Sequence, residues 1–477
     1  MTRSLAPLIP LLLLACSGDD DDGTTEPSVE AELTVAPGPL PGIVEVTVTT
    51  SEDAIVELEY GLDDTIHTHP VLSNGGTEHT FTVLGLKAGV DYLFEASASA
   101  IDSSTRTEVV TGRSDPLHED VPTFAVTSSD PGALCHPNGY VMFAWVYAGN
   151  SGVSIVDMDG DTVWSLPILD SDIQASRARL TPDGTGLVYT AAHTFRSELI
   201  GEVVYQSIDG DESILTDAPT SHHDVLAHTD GTQAWLGYSF TEYDCGDGTT
   251  AENAALDTIL EASPGGNETV VYDMTVDYPD QLDCDDGNRG FLPGRLDLTH
   301  SNSLMYRPTD DAYFVMSRWH DNLTKVDRST GDVVWQLGGD YDDFTPAEGQ
   351  DPADLFLHGH MSDIWDGGML VFDNNDPNDS VVREYRLDEG AMTWEQVWSW
   401  DTGAFEFLLG DAHRMPECAD HVVVVQSTAG RVHELVQGSG APVWTIEATT
   451  DNAPIVSRAE FIPDLYDLSR AQLPTTR

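Results

Sequence analysis

Histidines are the residues of this sequence that are best suited to catalysis or ligand binding. They recur in four short polar segments, at 221–224, 299–302, 357–360 and 411–414. A neutral imidazole can act near pH 7 as a nucleophile, a base or a metal ligand. The candidate functional residues in these segments are His222, His223, His300, Asn302, His358, His360 and His413.

Basic residues are rare, which gives each of them weight. Lys and Arg number 20 against 82 Asp and Glu, the formal net charge is −62, and only Lys87 and Lys325 are lysines. This balance excludes nucleic acid as a partner and disfavours docking of the folded surface on anionic lipid. Arg318 follows an apolar strand-like run, so we expect it to meet an anion.

A repeated pattern indicates the elements that position these residues. Asp-Gly or similar turns are followed by an apolar strand and a Trp at 156–164, 326–335, 387–398 and 436–444, with weaker copies ending at Tyr205 and Tyr272. The pattern gives six units, which begin near residues 136, 175, 221, 298, 357 and 409. Repetition of this kind is typical of a β-propeller. We therefore predict an all-β chain with a six-bladed β-propeller over 120–470, and an insertion at about 240–295 that lacks the pattern.

The propeller prediction brings the histidines together. The innermost strand of each blade lines a central channel, so equivalent positions of successive blades converge on one axis. A single histidine is more often a surface or core residue, but four at corresponding positions are hard to assign to chance.

An N-terminal domain precedes the repeats. Residues 43–49 and 54–60 alternate apolar and polar side chains, as half-buried strands do. The segment 84–94 is similar to the tyrosine-corner turn of fibronectin type III domains. We predict an immunoglobulin/fibronectin III-like β-sandwich over 28–115.

The first residues are typical of an export signal. A short apolar run ends in Leu-Leu-Ala-Cys at 13–16, which resembles a bacterial lipobox. We expect a lipoprotein signal peptide at 1–15, lipid on Cys16 and an acidic tether at 16–27. The protein would then be a cell envelope lipoprotein, periplasmic or outer-membrane anchored, that meets the membrane only through this anchor.

Four further cysteines fit an oxidising compartment, where disulfides form. Four cysteines allow three pairings. Closure of the ring favours Cys135 with Cys418, and the predicted insertion contains both Cys245 and Cys284.

Residues 120–470 resemble the bacterial aryl-sulfate sulfotransferases that use no phosphoadenosine cofactor. The resemblance rests on five segments: 300–304, 317–318, 331–339, 359–363 with 370–375, and 457–463. It implies that His360 is the nucleophile that takes up the sulfuryl group. It also implies that His223, His300 and Arg318 bind the anion with Asn302 nearby.

The resemblance further implies a ping-pong transfer from aryl sulfates to phenols, with no cofactor and no metal. One departure is Gly359, where the family usually has Gln. His222 competes with His223 for one role, His358 competes with His360, and His413 is a further substrate-binding candidate. A monomer and a homodimer both remain open.

Two alternatives have different requirements. A non-catalytic binding or scaffold propeller would use the histidines structurally, and its blades resemble those of quinoproteins and outer-membrane assembly lipoproteins. A metal-dependent hydrolase would use His358 and His360 as ligands, but it needs a third ligand at suitable spacing.

Overall fold

The computed structural model of the chain describes residues 28–466, except 65–66, 171, 194–198, 246–247, 279–281, 283, 285–291, 375–377, 416 and 451–452. The expected signal peptide, lipidated Cys16 and acidic tether lie outside the described residues. Within the described ranges, no helix is long and apolar enough to cross a membrane. Almost all regular structure is β, as the sequence predicts.

Two sheets form the N-terminal region and share one apolar core. The strands are β1 (Ala31–Pro37), β2 (Val44–Thr50), β3 (Ile55–Gly61), β4 (His67–Thr68), β5 (Ser73–Asn74), β6 (Glu78–Val83), β7 (Tyr92–Ser99), β8 (Ser104–Arg106) and β9 (Val110–Gly112). One sheet has the order β1-β2-β6, and the other is built around β3 and β7. Alternate residues of β2 are buried, because successive side chains of a strand point to opposite faces.

Six mainly antiparallel sheets follow, here called sheets 1 to 6. After β10 (Phe124–Ser129), sheet 1 contains β11 (Tyr140–Tyr147), β12 (Asn150–Asp157) and β13 (Thr162–Ile168). Sheet 2 contains β14 (Gln174–Leu180), β15 (Gly186–Ala192), β16 (Gly201–Ser207) and β17 (Ser213–Asp217). Sheet 3 contains β18 (Ser221–Ala227), β19 (Gln233–Asp244), β20 (Thr250–Ala262) and β21 (Thr269–Asp273), with β22 (Leu296–Asp297) beside β20.

The last three sheets follow the same plan. Sheet 4 contains β23 (Ser301–Arg307), β24 (Ala312–Ser317), β25 (Asn322–Asp327) and β26 (Val333–Leu337). Sheet 5 contains β27 (Thr345–Pro346), β28 (Gly359–Trp365), β29 (Gly368–Asp373), β30 (Val381–Asp388) and β31 (Thr393–Asp401). Sheet 6 contains β32 (Asp411–Arg414), β33 (His421–Gln426), β34 (Arg431–Val436) and β35 (Pro442–Ala448). The final strand is β36 (Ile455–Ile462), and the helical turns are α1 (Met274–Asp277), Gly339–Tyr341 and Pro352–Asp354.

The inner strands of the sheets close a ring. β36 contacts β14, and contacts then run in succession through β18, β23, β28 and β32 back to β36. Both ends of this region fasten the ring, because β10 pairs with β35 of sheet 6 and β36 pairs with β11 of sheet 1. The Cys135–Cys418 disulfide lies beside this closure, as predicted from the sequence.

Tryptophans of the outer strands join neighbouring sheets. Trp164, Trp335, Trp394 and Trp444 are all almost completely buried. The indole Nε1 of Trp164 donates to the Ile208 carbonyl of sheet 2, and that of Trp444 donates to the Met158 carbonyl of sheet 1. A buried indole needs such an acceptor, so the repeated Trp both packs and orients adjacent sheets.

The segment predicted to be an insertion contains regular strands. β20 and β21 are the third and fourth strands of sheet 3, and β19 and β20 extend as a long hairpin. The weak copy of the repeat that ends at Tyr272 belongs to these strands, and the length of β19 and β20, 12 and 13 residues, separates it from its turn signals. The Cys245–Cys284 disulfide is present, as predicted.

Candidate active site

A β-bulge interrupts the inner strand in five of the six sheets. The register shifts lie between Ala175 and Arg177, His222 and Val225, Ser301 and Ser303, His360 and Ser362, and Ser457 and Ala459. A bulge places two residues opposite one and redirects their side chains. Left-handed backbone occurs at His223, His300, Met361 and Arg458, in or beside these bulges. The fold therefore distorts its inner strands where the predicted site residues lie.

Three of the predicted histidines form a cluster inside the ring. The ring centroid of His223 lies 4.8 Å from that of His300 and 6.5 Å from that of His360. These residues come from sheet 3, the start of sheet 4 and sheet 5. The convergence inferred from the repeat pattern is thus present in the structure.

His360 has a defined tautomer. Its Nδ1 lies 3.0 Å from the carbonyl oxygen of Gly410, which can only accept a hydrogen bond, so Nδ1 carries the proton. Its Nε2 is buried and has no hydrogen-bond partner among the described residues. Burial, followed by the charges of Arg177 and Arg318, holds the pKa of His360 well below 6.5. Nε2 therefore carries a free lone pair at neutral pH.

His300 is oriented by a carboxylate. Its Nδ1 lies 2.5 Å from Asp297 Oδ2, and its ring packs 5.2 Å from that of Trp319. A carboxylate oxygen accepts a hydrogen bond, so Nδ1 donates to Asp297 and this contact fixes the orientation of the ring. The oriented ring of His300 lies next to that of His223 in the cluster.

His222 and His223 are linked to each other and to a second carboxylate. The two Nδ1 atoms lie 2.8 Å apart, and Nε2 of His222 lies 3.0 Å from Asp257 Oδ1. The ring N–H of His222 is not aimed squarely at that oxygen, so the contact is an ion-pair distance rather than a well-directed hydrogen bond. Both nitrogens of His222 face protein groups, which leaves His223 to face the centre of the cluster. Burial, followed by the charges of the surrounding histidines, holds the pKa of His223 well below 6.5.

Two buried arginines supply positive charge. Arg318 donates from Nη1 to Asn374 Oδ1 at 2.5 Å and from Nη2 to the Phe407 carbonyl at 3.1 Å. Arg177 is 1% exposed, and its Nη2 donates to the Asn302 carbonyl at 3.3 Å. Burial lowers the pKa of Arg177 to about 10, so it remains charged at pH 7.

The remaining predicted residues occupy different surroundings. The Asn302 side chain donates to the Gly359 carbonyl at 3.1 Å and ties sheet 4 to the strand that carries His360. His358 is half-buried, and its ring lies 6.1 Å from that of Trp319. His413 points its Nδ1 at Asp411 Oδ2, at 3.1 Å, and no ring contact among the described residues joins it to the cluster.

Four site residues were not singled out from the sequence: Arg177, Asp257, Asp297 and Asn374. Arg177 lies in β14, which, like β36, has no histidine motif, although a cation in an apolar strand of so acidic a chain could have marked it. Asp257 lies in the segment predicted to be an insertion. Asp297 contacts His300 three residues later, and Asn374 contacts Arg318, which only the folded ring brings to it.

The donor set suits an anion better than a metal ion. Among the described residues, no group of three or more His, Cys, Asp or Glu side chains could hold a metal. The cluster instead combines an unprotonated ring nitrogen with two guanidinium groups and an orientable imidazole. Such an arrangement can bind a tetrahedral anion and accept its electrophilic centre on nitrogen.

Comparison with known proteins agrees with this chemistry. Residues 136–453 match the family model described as arylsulfotransferase (ASST). No curated protein matches the chain.

Several solved structures resemble the chain at low identity. The Myceliophteria thermophila Cps50 (Swd1) β-propeller domain is 10% identical, with a TM-score of 0.39, over 70% of this chain and 88% of that one. A chain of the nidogen/laminin complex is 11% identical, with a TM-score of 0.34, over 73% and 94%. Saccharomyces cerevisiae Sqt1 is 11% identical, with a TM-score of 0.33, over 69% and 86%. These distant likenesses carry no argument about the site.

Proposed function

The chain belongs to the arylsulfotransferase family, and from this premise we propose that it transfers a sulfuryl group from an aryl sulfate to a phenol through a sulfuryl-histidine on His360. The family match supports aryl sulfotransferase activity. The observation that carries the mechanism is the free Nε2 of His360, held unprotonated because Nδ1 faces the Gly410 carbonyl.

The first half-reaction is attack of His360 Nε2 on sulfur. Sulfuryl transfer resembles phosphoryl transfer, with a loose transition state and charge on the peripheral oxygens. Arg318, His300 and His223 would bind those oxygens and the leaving aryl oxygen, and the charge of the buried Arg177 also acts on His360. The S–O bond to the aryl group breaks as the N–S bond forms, the aryl oxygen takes a proton from a neighbouring imidazole, and the phenol leaves.

The second half-reaction returns His360 to its free state. An acceptor phenol loses its proton to a neighbouring imidazole, and its oxygen attacks the sulfur of the sulfuryl-histidine. The N–S bond then breaks and the new aryl sulfate departs. The scheme needs no nucleotide donor, so we propose that the enzyme is independent of phosphoadenosine sulfate.

The proposed function also implies an architecture for both regions of the protein. We propose that sheets 1 to 6 are the blades of a six-bladed β-propeller and that residues 28–115 form an immunoglobulin/fibronectin III-like sandwich. The closed succession of inner strands and the pairing of both chain ends support the first proposal. The shared core of the two N-terminal sheets supports the second.

The location of the protein is also a proposal. The Leu-Leu-Ala-Cys segment and the acidic run behind it support export and lipid anchoring at Cys16. Two disulfides in the described residues are consistent with an oxidising compartment. Metabolic labelling with a radioactive fatty acid should mark the wild type and leave Cys16→Ser unlabelled.

Steady-state kinetics test the activity. Nucleotide-free protein is incubated with an aryl sulfate while the concentration of a phenol acceptor is varied. We expect release of the donor phenol to depend on the acceptor, with parallel double-reciprocal lines. Intersecting lines would refute the covalent intermediate, and an absence of transfer with any aryl sulfate would refute the function.

A further inference from the structure

The side chains of Asp257, His222 and His223 contact one another in succession, and the last of them lies in the histidine cluster. Asp257 is fully buried, and its Oδ1 lies 3.0 Å from His222 Nε2. His222 Nδ1 lies 2.8 Å from His223 Nδ1. The ring of His222 stacks on that of Tyr238 with the centroids 3.8 Å apart, so this stacking also restrains the orientation of His222.

We propose that these three residues store a proton for the transferase. His222, whose charge Asp257 balances, holds the proton that His223 gives to the leaving aryl oxygen and later takes back from the acceptor phenol. The proposal rests on the proposed sulfuryl transfer and adds to it a positioning pair, Asp257 and His222, that does not touch the substrate.

The proton and bond changes balance in both half-reactions. When the S–O bond of the donor breaks, His223 Nε2–H passes its proton to the aryl oxygen. His223 Nδ1 takes a proton from His222 Nδ1, and His222 becomes neutral. When the acceptor phenol attacks, its proton goes to His223 Nε2 and the Nδ1 proton returns to His222.

The surroundings of His223 explain why the proton is stored elsewhere. His300 and His360 lie beside it, and Arg177 adds positive charge. Burial, followed by these charges, keeps the pKa of His223 well below 6.5, so this ring does not retain an added proton. Asp257 supplies the negative charge that His222 needs. Its pKa is raised by burial, but its contacts with His222, Thr299 and Ser301 outweigh burial and lower it overall.

Asp257 also supports His300. Its Oδ2 accepts hydrogen bonds from the Thr299 hydroxyl and from the Ser301 backbone N–H, on both sides of His300. Substitution of Asp257 would therefore disturb two parts of the site at once. His222 is the better residue to test, because its polar and ring contacts in the described part of the chain are with Asp257, His223 and Tyr238.

The test compares two donors that differ in their need for a proton. A nitrophenyl sulfate has a stable leaving phenolate, whereas unsubstituted phenyl sulfate has a poor one that benefits from a general acid. The variants are His222→Phe, which removes both ring nitrogens, and His222→Gln, which can still bond both neighbours but cannot carry a proton. Tyr238→Phe keeps the stacked ring and serves as the control.

We expect both His222 variants to lower single-turnover transfer from phenyl sulfate by roughly 10²-fold, the usual size of general acid catalysis. Transfer from the nitrophenyl donor should fall less than about fivefold, and Tyr238→Phe should match the wild type with both donors. Recovery of the phenyl sulfate rate in His222→Gln would show a structural role and overturn the proposal, as would equal losses with both donors. If the His222 variants still form the His360 adduct from the nitrophenyl donor, the proposed sulfuryl transfer stands even where the proton store is overturned.

Discussion

His360 and His413 lie on the inner strands of neighbouring sheets, yet their partners differ. His360 directs Nδ1 at the carbonyl of Gly410, which accepts a hydrogen bond without adding negative charge. His413 directs Nδ1 at the carboxylate of Asp411, and Asp411 also lies 3.7 Å from Arg458. The two rings also differ in surroundings, because His360 lies 6.5 Å from His223 in the cluster, whereas no ring contact among the described residues joins His413 to it. In the proposed mechanism, position in the cluster rather than residue type or place in the repeat therefore decides which histidine attacks sulfur.

Alanine variants of the two histidines should differ most strongly. His360→Ala removes the attacking nitrogen, so we expect acceptor-dependent transfer to fall by on the order of 10³-fold or more. His413→Ala leaves that nitrogen in place and should lower the rate less than about tenfold. Steady-state rates of the two folded variants measure this difference. Comparable losses in both would contradict the assignment of different roles to His360 and His413.

The sequence predicts the strands that carry these histidines better than it predicts their hydrogen-bond partners. The turn-strand-Trp repeat locates the inner strands, and the histidine segments mark His223, His300 and His360 correctly as neighbours. The partners of these rings cannot be read in the same way. Gly410 and Asp257 are distant in sequence from the histidines that they contact, and only the folded ring brings them together. Asp297 lies three residues before His300 but is unremarkable in type.

Arg318 should rank next in effect. Its guanidinium is held by Asn374 and Phe407, and a lysine cannot keep both bonds while facing an anion. We expect Arg318→Lys to lower kcat/KM for an aryl sulfate by roughly 10²- to 10³-fold. Arg414→Lys is the matched control, because Arg414 stacks on Trp365 and pairs with Asp363 outside the cluster. A similar loss in both variants would indicate general destabilisation.

Acid pH should affect the nucleophile less than an ordinary histidine. Only neutral His360 attacks, and its pKa is well below 6.5 because of burial and the charges of Arg177 and Arg318. Protonation therefore becomes limiting only below that lowered pKa. We expect single-turnover transfer from a nitrophenyl sulfate to fall less than about twofold between pH 7.5 and 5.5, where a histidine with an ordinary pKa would lose roughly tenfold. A midpoint near 6.5 would place His360 in a solvent-like environment like that of a surface histidine.

Salt should have the smallest effect. A net charge of −62 repels an anionic donor, so binding depends on the local charges of Arg318 and Arg177. Screening shortens the repulsion from a range of about 30 Å at 0.01 M salt to about 8 Å at 0.15 M. We expect kcat/KM for an aryl sulfate to rise by roughly twofold over this interval. A steady fall would mean that the attraction of the local cations is itself long-ranged.

The most direct measurement is the location of the sulfuryl group in a trapped intermediate. The protein is mixed with an aryl sulfate in the absence of an acceptor, quenched at alkaline pH, digested and analysed by mass spectrometry. The account predicts one sulfuryl group per chain, on His360, which disappears when a phenol is added before the quench. A sulfuryl group on His413, His300 or His223 instead, or full transferase activity in His360→Ala, would contradict it.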